Sequence, residues 1–284
     1  MTARAATFRF VEPSALPGFW PALGFTMAYL SFLLLLPLAA LALRPWENGV
    51  TAFWEALTNP RTMAALRLSF GAAFLAACVN LVFGTIVAWA LTRYEFPGRR
   101  VLDAFVDLPF ALPTAVAGIS LAAIYAPNGM IGGVFAPFDI QIAYTPLGVM
   151  IALVFVGFPF VVRSVQPVLE DLPGDVEEAA ATLGATRLQT ITRVILPAIF
   201  PAILAGFSLA FARAVGEYGS VIFIAGNLPG VSEIAPLLIV IKLEEFDYAG
   251  AAALGLIMLS VSLVSLLALN IAQSHLARRS AGLG

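Results

Sequence analysis

Charged residues that could do chemistry are scarce in this chain, and the richest group of them stands between two apolar runs. Residues 170–197 read EDLPGDVEEAAATLGATRLQTITRVILP. Asp175 stands where it can cap a helix whose first turn holds Glu177 and Glu178, and carboxylates are favoured at the positive end of a helix. Ala179, Ala180 and Ala181 follow, and alanine is the strongest helix former. Gly184 supplies the left-handed turn that ends a helix. Thr186 and Gln189 have the spacing of a capping box for a second short helix, and Pro197 closes the unit. The chemistry on offer is mechanical and electrostatic. Small alanines let a partner approach closely, Glu178 presents a carboxylate to a basic partner residue, and Gly184 sets the angle between the two helices.

A second group lies inside apolar runs. Arg213 and Glu217 are one helical turn apart. Charges at membrane depth are costly and face a bundle interior or water, so this pair reads either as an internal brace or as part of a lined or gated path. The order, arginine before glutamate, is the weaker one for a helix pair and favours a partner elsewhere for each. Pro109 and Pro113 are close enough to break or kink the run that holds them, making a hinge beside a path or a packing kink. Asp103 and Asp107 precede them, with Arg163 as a candidate partner for Asp107. Arg67 also falls within a run.

Much other chemistry is excluded by shortage. The single histidine, His275, leaves no His-based metal cluster or Cys–His dyad, so neither catalytic residues nor metal ligands are expected. The single lysine, Lys242, follows no glycine-rich run, so a phosphate loop for ATP is absent from the sequence. The lone cysteine, Cys78, can make no intrachain disulfide. With 15 basic and 17 acidic residues, the charge balance gives no footing for nucleic acid.

The elements that must position these residues are membrane spans. The 284 residues are 61% hydrophobic and 11% charged, against about 25% charged in soluble domains. A span needs about 20 apolar residues, and six stretches qualify: 20–43, 63–91, 104–125, 145–168, 198–225 and 248–272. The expected fold is therefore all-α and polytopic, with six transmembrane helices and a two-helix loop between the fourth and fifth. The organisation expected is an arm at 1–19, a membrane domain at 20–272 containing the loop at 170–197, and a tail at 273–284. The first stretch is too long, and lacks a small-residue site before Arg44, for a cleavable signal. No internal repeat or low-complexity segment is present. Connections on one side carry Arg4, Arg9, Arg93, Arg99, Arg100, Arg278 and Arg279, those on the other only Arg44, Arg61 and Lys242. Seven against three puts both termini, and the loop at 170–197, on the cytoplasmic side.

Within that loop, Glu178-Ala179-Ala180, then Gly184, Val194 and Leu196-Pro197 at the observed spacing resemble the EAA loop of ABC importer permeases. Val194 stands where the family usually has isoleucine. The resemblance implies a loop that sits in a groove of an ATPase subunit and transmits its closure to the spans. LTRYEFPGRR (91–100), DLPFALPTAVAG (107–118), PFVVRSVQPVLE (159–170), GEYGSVIFIAGN (216–227) and EFDYAGA (245–251) are similar to the sulfate/thiosulfate permease family, T-type subunit. That likeness runs from about residue 15 to about 279. It implies a subunit in a bacterial inner membrane, paired with a second, homologous permease as a heterodimer. Two copies of a cytoplasmic ATPase holding ATP and Mg, and a periplasmic sulfate-binding protein, would complete the assembly. The chain itself would hold no cofactor and catalyse nothing.

Three alternatives are set by the same residues. Molybdate and tungstate permeases are similar in parts of these motifs, and the molybdate permeases form homodimers. A secondary transporter would show coupling carboxylates or histidines in several spans and a repeat. A membrane enzyme would need a catalytic constellation, for which one histidine and one cysteine leave little. The outer connections at 126–144 and 226–247, the second with Glu233, Glu244, Glu245 and Asp247, read as docking loops for the delivery protein or as plain solvated loops.

Overall fold

The computed structural model describes residues 18–281, with side chains through Ile271 and at Gln273. Arg4 and Arg9 lie outside the described residues, as do the side chains of Arg278 and Arg279. The described chain is helical, without strands. Among the described residues, five helices are long and apolar enough to cross a membrane: α1 (Phe19–Trp46), α2 (Pro60–Arg93), α4 (Pro146–Asp171), α6 (Arg187–Val215) and α8, whose apolar part is Tyr248–Ile271. Between them lie the shorter α3 (Thr114–Tyr125), α5 (Asp175–Thr182) and α7 (Ala235–Glu244).

The chain divides into two compact units, Met1–Leu43 and Arg44–Gly284. In the first, the helix widens into a π turn at Ser31–Leu35, where the Leu36 N–H reaches back to the Ser31 carbonyl. Pro37 follows at once. The same device recurs in the second unit: Leu196 N–H bonds to Ile191 across the π turn Ile191–Ile195, and Pro197 follows. A proline ring collides with the carbonyl four residues back and donates no hydrogen bond. A widened turn just ahead of it absorbs both defects without ending the helix.

In the second unit, α2, α4 and α6 form the core and pack more closely with one another than with any other element. Small residues dominate the α2 face, which meets larger Val, Leu, Ile and Phe side chains of α4 and α6. In α2 the buried face includes Ala65, Ala72, Ala73, Ala76, Ala77, Gly84 and Ala88, with Leu66 and Leu91 toward its ends. Between helices in lipid there is little hydrophobic gain, so close backbone approach and dispersion hold the bundle. Val161 of α4 sits between two glycines. A Cβ on Gly84 of α2 would stand 2.9 Å from its Cβ, and one on Gly206 of α6 would stand 2.8 Å from its Cα. Phe74 of α2 closes the layer edge-on against Phe207 and Phe211 of α6.

Two expected spans are differently built. The run at 104–125 is no single helix but three pieces, Arg99–Val106, Leu108–Ala111 and α3. Leu112 and Pro113 between the last two are extended, with ψ of 134° and 133°, as the residue before a proline tends to be. At about 1.5 Å per residue, the 12 residues of α3 reach about 18 Å, short of the roughly 30 Å hydrocarbon core. The run at 198–225 is displaced. Its helix begins earlier, at Arg187, and stops at Val215, after which Gly216 turns the chain and a short helix, Val221–Ile224, follows. That short helix packs on α3, and Gly118 of α3 lies so near the Ser220 backbone that no side chain fits there. The connection at 226–247, expected as a loop, holds a helix, α7.

Candidate coupling loop and membrane-embedded charges

The loop at 170–197 folds largely as its residues dictate. Helix α5 carries Asp175, Glu177 and Glu178 in its first turn. Asp175 corrects one expectation: Gly174 is the cap residue, no side chain caps the helix, and Asp175 acts only through its charge near the positive end. The C-terminal end is a Schellman motif. Ala185 N–H bonds to the Ala180 carbonyl and Gly184 N–H to that of Ala181, each at 3.0 Å, and Gly184 has φ +81°. Thr186 then makes a full capping box with Gln189: Gln189 N–H donates to Thr186 Oγ1 at 3.3 Å, and Thr186 N–H to Gln189 Oε1 at 2.8 Å.

The second helix is not a separate short one. The turn Arg187–Thr190 continues through the π turn into the rest of α6, so Pro197 lies within a helix and does not close the unit. Glu178, Ala179 and Gly184 are exposed, Ala180 is buried, Val194 is half-buried, and Leu196 and Pro197 face outward. Leu183 and Leu188, flanking Gly184, are 88% and 70% exposed. The acids lie in the first turn of α5 and Leu183 just past its last, so the two ends of the helix present different chemistry.

Sequence reasoning missed what holds α5 in place. Arg93, the last residue of α2, forms an ion pair with Glu177 at 2.9 Å and donates to the Leu172 carbonyl at 3.3 Å. Its guanidinium also stands 5.9 Å from the Trp89 ring centroid. Helix ends explain the pairing. Arg93 sits at the negative end of α2 and Glu177 at the positive end of α5, each where its own charge is favoured. No signal short of three-dimensional contact joins two residues so far apart in sequence.

At the same end of the bundle, Arg163 of α4 grips the broken third segment. It takes Asp107 in a two-pronged pair, at 2.9 and 2.7 Å, and also donates to the Asp103 carboxylate at 2.7 Å, the Asp103 carbonyl at 2.9 Å and Gln166 at 2.6 Å. Asp107 occupies the break before Leu108-Pro109, so the pair pins the segment where its own backbone bonding fails.

Arg213 and Glu217 are brought together and pair with each other, against the preference for outside partners suggested by their order. Glu217 lies just past the end of α6, is nearly fully buried, and accepts from Ser220 N–H and Ser220 Oγ at 2.9 Å each. Arg213 stays about one third exposed. Pro109 and Pro113 bound the breaks described above and touch neither residue by a hydrogen bond.

At the opposite end, Glu233 corrects another expectation. It is no solvated loop acid but is buried, held by both prongs of Arg61 at 2.7 and 2.6 Å. Asp247 accepts from Lys242 at 2.8 Å and from Gly250 N–H at 2.9 Å, and the ammonium holds its carboxyl below the usual carboxylate range. Arg67 is exposed and makes no ion pair among the described residues. Among the described residues no three His, Cys, Asp or Glu side chains gather as a metal site would require.

Residues 80–282 match the family model described as "Binding-protein-dependent transport system inner membrane component". Among characterised relatives, sulfate transport system permease proteins of Salmonella typhimurium and Escherichia coli are each 49% identical over 267 residues, covering 94% of this chain and 96% of theirs. The protein of the same description from a Synechocystis species is 49% identical over 248 residues, 87% of each chain. Among solved structures, a chain of a bacterial ABC transporter that imports alginate aligns with TM-score 0.76 over 90% of this chain and 95% of its own, at 16% identity. A chain from a related crystal structure, containing alginate pentasaccharide-bound periplasmic protein, aligns with TM-score 0.74 at 19% identity. At those identities the structural likeness speaks for the fold, and the near-full-length likeness in sequence speaks for kinship: the chain belongs to the binding-protein-dependent transport system inner membrane component family.

Proposed function

We propose that the chain is the membrane permease subunit of an ATP-driven importer that moves sulfate, with thiosulfate as a second substrate. The observation that carries this reading is the 49% identity to sulfate permeases over 94% of the chain. The relatives named above are sulfate and not molybdate permeases, so molybdate and tungstate are not the substrates proposed. The subunit sits in the inner membrane with both termini in the cytoplasm, as an arm at 1–19, a permease domain at 20–272 and a tail at 273–284. It pairs with a second, homologous permease, stands on two ATPase subunits that hold ATP and Mg, and receives the anion from a periplasmic binding protein. It binds no cofactor and catalyses no reaction of its own.

The loop carrying Glu178, Ala179, Ala180, Gly184, Val194, Leu196 and Pro197 is the part that meets the ATPase. Its support is the exposure of Asp175 and Glu178 at one end of α5 and of Leu183 and Leu188 around Gly184 at the other. Closure of the ATPases on ATP pushes this loop. Because Arg187–Val215 is one helix, the push passes directly along it toward Arg213 and Glu217. Those two residues, with the breaks at Pro109 and Pro113, line or gate the path. The anion crosses unchanged, and hydrolysis resets the loop.

Uptake of radiolabelled sulfate by cells lacking this chain, with and without its return, tests the reading. Restored uptake that thiosulfate blocks and molybdate does not is the expected result. Unchanged sulfate uptake with lost molybdate uptake would overturn the substrate.

A further inference from the structure

The LTRY segment singled out in the sequence has no task in the reading above, and its arginine holds the most telling position in the molecule. Helix α4 ends at Asp171 and α5 begins at Asp175, so only Leu172, Pro173 and Gly174 separate them. That link is a natural hinge. Proline cannot extend α4, and glycine has little resistance to a change of angle. Arg93 bridges the hinge from outside. One guanidinium nitrogen, Nη2, reaches both the Leu172 carbonyl at 3.3 Å on one side and Glu177 at 2.9 Å on the other.

Helix α5 is otherwise lightly held. Only Ala180 of its residues is buried, and its packing is with the start of α6. Among the described residues, Glu177–Arg93 is the one ion pair that ties it to another long helix. Arg93 in turn ends α2, the helix packed most extensively on α4. With its side chain 20% exposed, against 33% for Glu177, the pair is partly shielded from water.

We infer that Arg93 is a positioning residue for energy coupling: it fixes the angle of α5 across the Leu172–Gly174 hinge, so that a push on the loop moves α2 and α4 as well as α6. Without it, α5 swings on its hinge and only the direct route through α6 remains. This rests on the loop being the contact for an ATPase, as proposed above.

The test uses the complete complex, with its ATPase and binding protein, in liposomes, and reads sulfate accumulated per ATP hydrolysed. Arg93→Gln and Glu177→Gln should each lower that ratio by about tenfold, an interaction on the scale of coupled neighbours, and the double variant should fall no further than either single. A lower amount of folded protein would reduce uptake and hydrolysis together and leave the ratio alone. If Arg93→Gln fails to reach the membrane, Arg93→Lys serves: it keeps the charge on a side chain one atom shorter than the reach to Nη2, and should lower the ratio by a smaller factor. An unchanged ratio in the variant measured, or losses that multiply in the double variant, would overturn the inference. Failure of the unsubstituted complex to accumulate sulfate would instead reject the functional reading beneath it.

Discussion

Arg163 and Asp107 lie side by side with two parallel hydrogen bonds, Nε to Oδ1 at 2.9 Å and Nη2 to Oδ2 at 2.7 Å, across the point where the third segment breaks. A two-pronged guanidinium–carboxylate pair fixes orientation as well as distance. It compensates a segment whose prolines deny it a continuous helix. Asp107→Asn keeps the shape and removes the charge. Since Asp107 is about half exposed, the loss should be modest, about 1 kcal/mol, read as a lower melting temperature of the purified complex. Arg163→Ala strips Asp103 and Gln166 of a partner as well and should cost more than Asp107→Asn.

Gly206 presses its backbone against Val161, where an added Cβ would stand 2.8 Å from a backbone carbon. Gly206→Ala should therefore force α4 and α6 apart, at the roughly 1–3 kcal/mol typical of overpacking. Gly71 provides the contrast, with open space where its Cβ would be. Gly71→Ala should leave the melting temperature unchanged or raise it, since alanine is the better helix former.

Gly184 tests the loop. Its neighbourhood is empty, so volume is not the constraint. The constraint is φ +81°, which costs a β-branched residue about 1–2 kcal/mol. Gly184→Val should leave the protein in the membrane, distort the turn between Leu183 and Leu188, and separate ATP hydrolysis from sulfate uptake. Gly184→Asn, which tolerates the left-handed region, should transport. Normal uptake by the valine variant would remove Gly184 from the coupling scheme.

Arg213 and Glu217 admit a sharper experiment than a single substitution. Arg213→Gln leaves Glu217 buried with Ser220 alone as partner, and an unpaired buried charge is destabilising. Adding Glu217→Gln removes that charge. Protein levels should recover in the double variant, while uptake stays at least about tenfold down if Arg213 lines the path, the scale of a lost charge contact. Uptake that recovers with protein level would make the pair a brace and nothing more.

What could be read from the sequence was local. Gly184, Thr186 and Gln189 act within a few residues of themselves, so their spacing alone specified a left-handed turn and a capping box. Pro109 and Pro113 announced a break but not the extended Leu112–Pro113 link, which leaves α3 too short to cross by itself. Asp175 suited a cap by type, yet Gly174 reached the position first. The long-range pairs were hidden. Glu233 reads as a loop acid because nothing nearby in sequence reveals Arg61 against it, and Glu177 reads only as a first-turn charge because nothing nearby reveals Arg93. Helix α7 is hidden in the sequence by the acids that surround it, although its own residues, Ala235–Glu244, are mostly apolar.

We propose that this chain forms part of a sulfate path opened by ATP hydrolysed on another subunit. The most direct test is the complex reassembled in liposomes with both permeases, the ATPase and sulfate-loaded binding protein, following labelled sulfate inside. Accumulation that requires ATP, the binding protein and this chain together is the predicted result. Accumulation driven by an ion gradient without ATP, or undiminished when this chain is omitted, would contradict the account.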